Sequence, residues 1–455
     1  MRVADIDGDT EPEERPPRDA RLKHAVLLIA SLGGRATAVI PRDGSLTVGR
    51  GEGAPAPAGP HARTAVTLLP DNLLSREHLR ISPGARGLEL EDLGSRNGTL
   101  LDGLRLTKPM PLSEGAIVLF GSQVAVFRRV SDAELDALAE DAATPFGPIP
   151  TASPALALIY ARLRRLARTD IELLFVGETG VGKEVCARAI HAASGRRGPF
   201  FAINCASLPA ALVESELFGF VAGAHSTAAA SKPGLIEAAE GGTLLLDEIG
   251  EMPPELQTKM FRFLQDRMVR PLGATRARRV DVRVIGATSR DPSGSAPGAL
   301  RPDLVARLGA EPVTIPPLRR RLEEVAPLIA HFGAATLREA EPAALRAMAL
   351  YGWPLNVREL EKTVANALAI NANGRLELQY LPAGIRGALQ RGAHIEARPS
   401  RREPRGAPPR VELEDLLKRH GGNVSGIARA LDRQWTVVHR WLLRYKLRAE
   451  KFRKG

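Results

Sequence analysis

The apolar run Ile171-Glu172-Leu173-Leu174-Phe175-Val176 leads directly into Gly177-Glu178-Thr179-Gly180-Val181-Gly182-Lys183-Glu184. A strand that feeds a glycine-rich loop and then a helix limits this part of the chain to an α/β unit that cradles an anion. The glycines let successive backbone N–H groups converge, the helix adds its positive N-terminal end, and Lys183 brings a mobile point charge to the terminal phosphates. Many such loops place Ser or Thr after the lysine to hold magnesium, and here that position is Glu184. The second half of the site is Leu244-Leu245-Leu246-Asp247-Glu248, a buried-strand pattern ending in two carboxylates. One carboxylate suits the shell of a Mg2+ ion, and the other suits the polarising of water. The pair of motifs predicts ATP as the ligand and its hydrolysis as the reaction.

At 455 residues the chain exceeds what one hydrophobic core organises, so two to four domains are expected. With 44% hydrophobic and 25% charged residues it reads as globular, and no apolar run approaches the roughly 20 residues of a membrane span. The first fourteen residues are acidic rather than a basic signal start, which predicts a cytoplasmic protein with no membrane partner. The two cysteines, Cys186 and Cys205, lack metal-ligand spacing and read as buried hydrophobes in a reducing compartment. A formal charge of +11 favours a polyanionic partner.

Composition shifts divide the chain. Residues 1–20 are acidic and Pro-rich and read as a disordered leader. Residues 22–130 carry short β-type runs at 36–40, 46–48, 66–69, 79–82, 88–90, 117–120 and 124–127 between Gly, Pro, Asp and Asn turns, the pattern of a β-sandwich. Residues 131–145 open with an acidic helical stretch, turn Pro-rich, and read as a linker. Alternating helix and strand patterns over 146–317 predict an α/β ATPase core, and 318–387 a helical lid. Residues 388–410 carry Arg391, Arg398, Arg401, Arg402, Arg405 and Arg410 among Pro and Gly, a flexible basic linker suited to DNA phosphates. Residues 411–455 form a basic, all-α tail. The fold expected is therefore multidomain.

Three loop motifs mark the sandwich: Gly49-Arg50, Ser75-Arg76-Glu77-His78 and Gly94-Ser95-Arg96-Asn97-Gly98-Thr99. Together they resemble a forkhead-associated (FHA) domain. Loops at one end of a sandwich can gather an arginine, a hydroxyl and an amide around a phosphate. The resemblance implies phosphothreonine binding, with Arg50 and Ser75 on the phosphate, Arg76 assisting and Asn97 on the peptide main chain. His78 reads as an internal brace, since an imidazole can tie two loops through both nitrogens.

The central block resembles the AAA+ domain of bacterial enhancer-binding proteins, the activators of sigma-54 RNA polymerase. The resemblance rests on residues 177–184, Phe201-Ala202-Ile203-Asn204-Cys205, Glu216-Leu217-Phe218-Gly219, residues 241–248, Pro316-Pro317-Leu318-Arg319, and Trp353-Pro354-Leu355-Asn356-Val357-Arg358-Glu359-Leu360. It implies that Asp247 helps hold magnesium, Glu248 activates the attacking water, and Asn204 pairs with Glu248 to switch it with nucleotide state. Arg358 would read the phosphates from the lid. Arg301 and Arg307 fall where the family presents arginines to a neighbouring subunit's ATP, which makes hydrolysis depend on a homo-oligomeric ring.

Two stretches depart from that family. Its Gly-Ala-Phe-Thr-Gly-Ala loop, which pushes against sigma-54, aligns here with Gly223-Ala224-His225-Ser226-Thr227-Ala228. The aromatic tip and the second glycine are gone, which removes a flat apolar contact and a residue free to take positive φ. Thr288-Ser289 stands where the family has Thr-Asn. The leading expectation is a regulator that activates sigma-54 polymerase. Its alternative is a DNA-binding regulator that uses ATP only for assembly and does not engage sigma-54. A phosphothreonine-dependent scaffold with a vestigial ATPase is disfavoured by Lys183, Asp247, Glu248 and Arg358.

In the tail, Gly421-Gly422-Asn423-Val424-Ser425 separates a helix at 411–420 from one near 425–431, and a third begins near Arg433. The arrangement resembles the Fis-type helix-turn-helix of the same family. Ile427, Ala428, Leu431, Val438 and Leu442 recur at helical spacing and read as core. The third helix would present Gln434, Trp435, Thr436, His439 and Arg440 to the major groove of enhancer-like DNA. Arg444, Lys446, Arg448, Lys451 and Arg453 would meet phosphates.

Overall fold

The computed structural model describes residues 24–51, 64–85, 87–224, 230–290, 292, 300–309, 311–371, 373–394 and 410–421, together with 427, 442, 445 and 447. Contacts divide the chain into two units, Met1–Ile395 and Glu396–Gly455.

The first unit opens with a β-sandwich. Its strands are β1 (His24–Ser31), β2 (Gly34–Ile40), β3 (Ser45–Arg50), β4 (Thr64–Leu69), β5 (Leu79–Gly84), β6 (Gly87–Asp92), β7 (Thr99–Leu101), β8 (Leu104–Arg105), β9 (Met110–Pro111), β10 (Ile117–Phe120) and β11 (Gln123–Val130). One sheet has the order β2-β1-β11-β10-β7-β8 and the other β4-β3-β5-β6-β9. Each β run expected from sequence lies in one of these strands, and β1 with the short β7, β8 and β9 are additions. In β1, Leu27 and Ile29 face the core between the sheets, while Val26 and Leu28 face outward. A strand with both faces covered reads as a continuous apolar run rather than an alternation, which is why its period gave no strand signal.

The outward face is covered by the segment expected as a linker over 131–145. It is a helix, α1 (Asp132–Ala143), with a capping box between Ser131 and Glu134. Leu135 and Leu138 pack on Val26, Leu28 and Val130, while Ala137 and Leu138 meet Ala157 and Ala161 of α2 (Pro154–Ala167). Buried Asp141 accepts from the amides of Phe146 and Thr151 at 2.9 and 2.7 Å and from Arg164 at 2.8 Å, fixing the turn between the two helices.

The α/β core follows with β12 (Leu173–Val176), α3 (Lys183–Ser194), β13 (Phe200–Asn204) and α4 (Ala210–Phe218). Next come the ribbon β14 (Gly219–Phe220) and β15 (Lys232–Pro233), then α5 (Leu235–Ala238), β16 (Thr243–Asp247) and α6 (Pro254–Asp266). A second ribbon, β17 (Met268–Val269) with β18 (Arg278–Arg279), precedes β19 (Arg283–Thr288), α7 (Pro302–Leu308) and β20 (Val313–Thr314). The sheet β13-β16-β19-β12-β20 is entirely parallel. All its strands therefore end on one edge, which brings Gly177, Asn204, Asp247 and Ser289 together. Arg283, 1% exposed, donates to the carbonyls of Leu166, Ala167 and Ile171 and so satisfies the open C-terminal end of α2.

Two 3-10 turns, Leu318–Arg320 and Leu322–Glu324, lead into a helical lid: α8 (Val325–Gly333), β21 (Glu339–Ala340), α9 (Pro342–Ala349), α10 (Asn356–Ile370), β22 (Arg375–Leu376) and α11 (Ala383–His394). Its core gathers Ile329, Met348, Leu360 and Val364 around the fully buried Trp353. Helix α11 runs past residue 387, so the first residues expected as basic linker are helical. Cys186 and Cys205 are both buried, and burial pushes both thiols up to about 12.

In the second unit α12 spans Arg410–Arg419. Its Leu413 and Leu417 form a buried cluster with Ile427 and Leu442, two of the residues expected as core. Among the described residues no helix is long and apolar enough to cross a membrane.

Candidate functional site

The phosphate loop is held open by glycines and closed over by the lid. Gly180 (φ +80°) and Gly182 (φ +107°) take left-handed conformations, and Gly182 caps α3. A Cβ on Gly180 would lie 2.2 Å from the Leu355 carbonyl, so no side chain fits there. The Val357 amide donates to Gly180 O at 3.0 Å, and a Gly180 Cβ would come within 3.0 Å of Cβ of Arg358. Exposed Arg358 thus stands beside the loop. Lys183, 6% exposed, donates from Nζ to Gly177 O at 2.8 Å and lies 3.5 Å from Glu248 Oε1.

The carboxylate pair sits where β16 ends. Burial, then the neighbouring Glu248, raises the Asp247 carboxyl above its ordinary range, against the pull of Lys183. Glu248 leaves the strand with φ +49° and turns its carboxylate to Ser289, accepting from the Ser289 amide at 3.0 Å and its hydroxyl at 2.8 Å. Asn204 does not pair with Glu248 as expected. It is the register partner of Asp247 across β13 and β16, and its Nδ2 donates to Asp247 Oδ2 at 3.3 Å. The left-handed step after Asp247 carries Glu248 away from that strand pair. Ser289, noted from sequence only as a departure, thus supplies both a backbone and a side-chain donor to Glu248.

Two lid-side residues of the quoted motifs, Arg319 and Asn356, had no role assigned from sequence, and Arg321 was not singled out there. Arg319 grips Glu178 of the phosphate loop with bonds of 2.7 and 2.5 Å, holding the Glu178 carboxyl down to about 2. Asn356 (φ +56°, fully buried) donates to Glu178 Oε2 at 3.2 Å and Thr179 O at 3.0 Å, and accepts from the Leu318 amide at 2.8 Å. Arg321, also buried, donates to Val181 O at 2.7 Å and pairs with Glu324 at 2.9 Å. Glu184, expected to bind nucleotide, pairs with Arg188 one turn along α3 at 2.7 Å.

At one end of the sandwich the structure gathers Arg50, Ser75, Arg76 and Asn97. Arg50 N donates to Ser75 O at 2.8 Å, and a Cβ on Gly49 would lie 1.8 Å from Arg76 O, so the two loops touch at backbone distance. Ser75 Oγ accepts from Arg96 N at 3.1 Å, and Asn97 Nδ2 donates to Leu73 O at 2.7 Å. Arg50, Arg76, Arg96 and Asn97 are exposed. His78 is the brace expected of it: Nδ1 accepts from Ser75 N at 3.2 Å, and Nε2 lies 3.4 Å from Gly98 O. Burial lowers its pKa. Asp92, not singled out from sequence, orders the third loop by accepting from Ser95 N, Ser95 Oγ and Thr99 Oγ1 at 2.6 to 2.7 Å. Burial works against its ionised form, but those bonds outweigh it and lower its pKa.

Family models match this chain in three places: a sigma-54 interaction domain over residues 149–314, an FHA domain over 46–121 and an AAA+ ATPase lid domain over 319–397. The transcriptional regulatory protein GlrR of Escherichia coli (strain K12) is 38% identical over 314 residues, 67% of this chain and 69% of that protein. The chain belongs to the sigma-54-dependent transcriptional regulators. The regulatory protein AtoC of Escherichia coli (strain K12) is 37% identical over 315 residues, 66% of this chain and 67% of that one. A crystal structure of NtrX from Brucella abortus in complex with ATP covers 65% of this chain and 68% of that one, at 33% identity and a TM-score of 0.48. As a member of this family the chain is an ATPase with an FHA domain ahead of its sigma-54 interaction domain.

The remaining expected sites of this sigma-54-dependent regulator are engaged within the chain or lie outside the described residues. Arg301, 45% exposed at its side chain, pairs with Asp303 at 2.8 Å and reaches Thr258 Oγ1 at 3.2 Å. Arg307 donates twice to Leu264 O, at 3.0 and 2.8 Å. Gly223 and Ala224 rise beside the β14–β15 ribbon, with Gly273 packed against Ala224 at a distance that leaves a Cβ 3.0 Å of room. His225, Ser226, Thr227 and Ala228 lie outside the described residues, as do Gln434, Trp435, Thr436, His439, Arg440 and Arg444.

Proposed function

We propose that this chain couples recognition of a phosphothreonine-containing protein to ATP-driven remodelling of sigma-54 RNA polymerase, working as a homo-oligomeric ring tethered to enhancer-like DNA by residues 411–455. The observation that carries the catalytic half is the meeting of Lys183, Asp247, Glu248 and Ser289 at one edge of a parallel sheet.

The glycine backbone and the first amides of α3 bind the phosphates of ATP, and Lys183 exchanges its loop carbonyl for the terminal phosphate oxygens. Glu248, held by two Ser289 donors and by Lys183, takes the proton of the attacking water. Asp247, steadied by Asn204, would hold Mg2+, which supplies charge neutralisation at the phosphates when bound. The fit is supported by the raised Asp247 carboxyl, a half-buried acceptor at the end of β16 whose ionised form a divalent cation stabilises. Arg301 and Arg307 serve the neighbouring subunit. Exposed Arg301 needs only to exchange Asp303 for a phosphate to do so. Arg50, Ser75, Arg76 and Asn97 take the phosphothreonine and its main chain.

The test is ATP-dependent open-complex formation on a sigma-54 promoter with purified sigma-54 polymerase and the full chain. Promoter opening that requires Lys183 and Glu248 supports the proposal. Hydrolysis without any opening would reject its sigma-54 half in favour of a regulator that uses ATP for assembly alone.

A further inference from the structure

Arg128 lies on β11, within the FHA sandwich, yet its guanidinium leaves that domain. Its Nη2 donates to Arg320 O at 2.8 Å and to Glu323 Oε2 at 2.9 Å, and Glu323 is 1% exposed. Arg320 is the middle residue of three consecutive arginines. The one before it, Arg319, grips Glu178 of the phosphate loop, and the one after it, Arg321, grips Val181 O in the same loop. One short turn is thus held on one side by the FHA domain and on the other by the nucleotide site.

We infer that Arg128 is a positioning residue for the ATP site, so that the seating of the FHA domain sets the geometry of the phosphate loop. Residues on either side of a fixed peptide cannot shift independently, because a turn this short has few free dihedrals between Arg319 and Arg321. The seating is broad enough to make Arg128 dependable. Ile117, Leu119 and Val124 on the outer face of the sheet pack on Ala349, Leu350 and Leu322, and Arg346 of α9 donates to Gly121 O at 3.3 Å. The far end of the turn is pinned as well: Glu324 accepts from Ala152 N at 2.8 Å and from Thr151 Oγ1 while pairing with Arg321. Leu318 is tied to Asn356, which itself touches Glu178 and Thr179. With both ends fixed and Leu322 packed on the sheet, Arg128 supplies a hydrogen bond from the FHA domain to the carbonyl of Arg320 in the middle of the turn. The inference rests on the ATPase activity and not on phosphothreonine recognition.

The experiment is steady-state ATP hydrolysis by the full chain, with binding of a fluorescent ATP analogue and thermal melting measured on the same preparations. Arg128→Ala should raise KM and the analogue's Kd roughly three- to tenfold, the range of coupling through a packed network, with kcat held within about twofold. Arg128→Lys, which keeps a donor and a charge in reach, should restore most of the affinity. Arg129→Ala, an exposed neighbour on the same strand, should change neither constant. The double variant Arg128→Ala with Arg319→Ala should lose no more affinity than the more impaired of the two single variants, because both act through one turn. Unchanged KM in Arg128→Ala overturns the inference, as does full additivity in the double variant. If Arg128→Ala does not fold, Arg128→Gln is read in the same assays, and failure of both to fold makes Arg128 a structural residue and overturns it too.

Discussion

Arg319 holds Glu178 through two hydrogen bonds of 2.7 and 2.5 Å, and so fastens the first turn of the lid to the loop that binds phosphate. The contact joins two parts of the ATPase 141 residues apart in sequence.

Breaking this pair should weaken ATP binding without abolishing it. Both side chains are more than two-fifths exposed, so solvent screens the pair and Arg319→Ala should raise the ATP Kd only roughly two- to fivefold. Since the Glu178 pKa falls to about 2 from an ordinary 4.5, the pair's contribution is complete above about pH 4.5 and is lost as pH falls from there toward about 2. Titrating ATP binding between pH 6 and 8 should therefore give the same ratio of wild type to Arg319→Ala throughout. A ratio that changes across this range would assign the clamp to another group.

The Ser289 to Glu248 contact predicts a different signature. Ser289→Ala removes the hydroxyl donor to the catalytic carboxylate and leaves the amide donor in place, so kcat should fall roughly tenfold while nucleotide binding stays near wild type. Lys183→Ala should abolish binding itself, and Glu248→Gln should bind ATP without turnover. Single-turnover kinetics beside a binding titration separates the three. A Ser289→Ala defect confined to KM would place Ser289 on the substrate rather than on the base.

Much of this was legible in the sequence, for definite reasons. The phosphate loop, the Asp247 and Glu248 pair and the FHA loops are contiguous motifs whose chemistry depends on local spacing, so they could be read without the fold. The partner of Asn204 could not, because it depends on the register of two parallel strands and on the left-handed conformation of Glu248 itself. The roles of Arg319, Arg321 and Asn356 depend on how the lid folds back over the loop. Arg319 and Asn356 lay in motifs that carried the family resemblance, and the sequence signal for Arg321 was the density of charge in Leu318-Arg319-Arg320-Arg321-Leu322-Glu323-Glu324. Strand β1 was invisible to a period-two search because α1 covers its second face.

His78 gives the sandwich a pH dependence. Burial lowers its pKa from 6.5, so the unfolded chain binds more protons than the folded one as pH drops below about 6.5. Stability is fully present above that value and declines as pH falls toward the lowered one. Protection factors of the β3 and β5 amides, corrected for the pH dependence of intrinsic exchange, should accordingly fall between pH 7.5 and 5.5. The slope should flatten in His78→Gln, which keeps hydrogen-bonding atoms but does not titrate. An equal slope in both proteins would assign the effect to another group.

The phosphopeptide loops offer the input test. Arg50 is exposed and contributes only its backbone to the loop contact with Ser75, so Arg50→Ala should leave the fold intact. It should weaken a phosphothreonine peptide by about 1.5–3 kcal/mol, the usual worth of a hydrogen bond to a charged group. Calorimetry on phosphorylated and unphosphorylated members of a threonine peptide library decides it, and equal binding of the two forms would remove phosphothreonine as the ligand.

In the proposed function, coupling to sigma-54 depends on the loop that follows Gly223 and Ala224. Those two residues rise beside the β14–β15 ribbon, and Val221 is tied back to Leu272, so the base of the loop is fixed to the ATPase core. Beyond it, His225 stands where the family carries an aromatic tip, and Thr227 where it carries glycine. His is smaller and polar, and a β-branched residue resists the positive φ that glycine permits. The wild type should therefore hydrolyse more ATP per promoter opened than its catalytic constellation requires. The double change His225→Phe with Thr227→Gly should raise open-complex yield with no matching rise in ATP turnover. Promoter melting per ATP hydrolysed, measured for both proteins on one sigma-54 promoter, is the deciding quantity. An unchanged ratio would mean that His225 serves the contact as well as Phe, and melting by neither protein would favour a regulator that works without sigma-54.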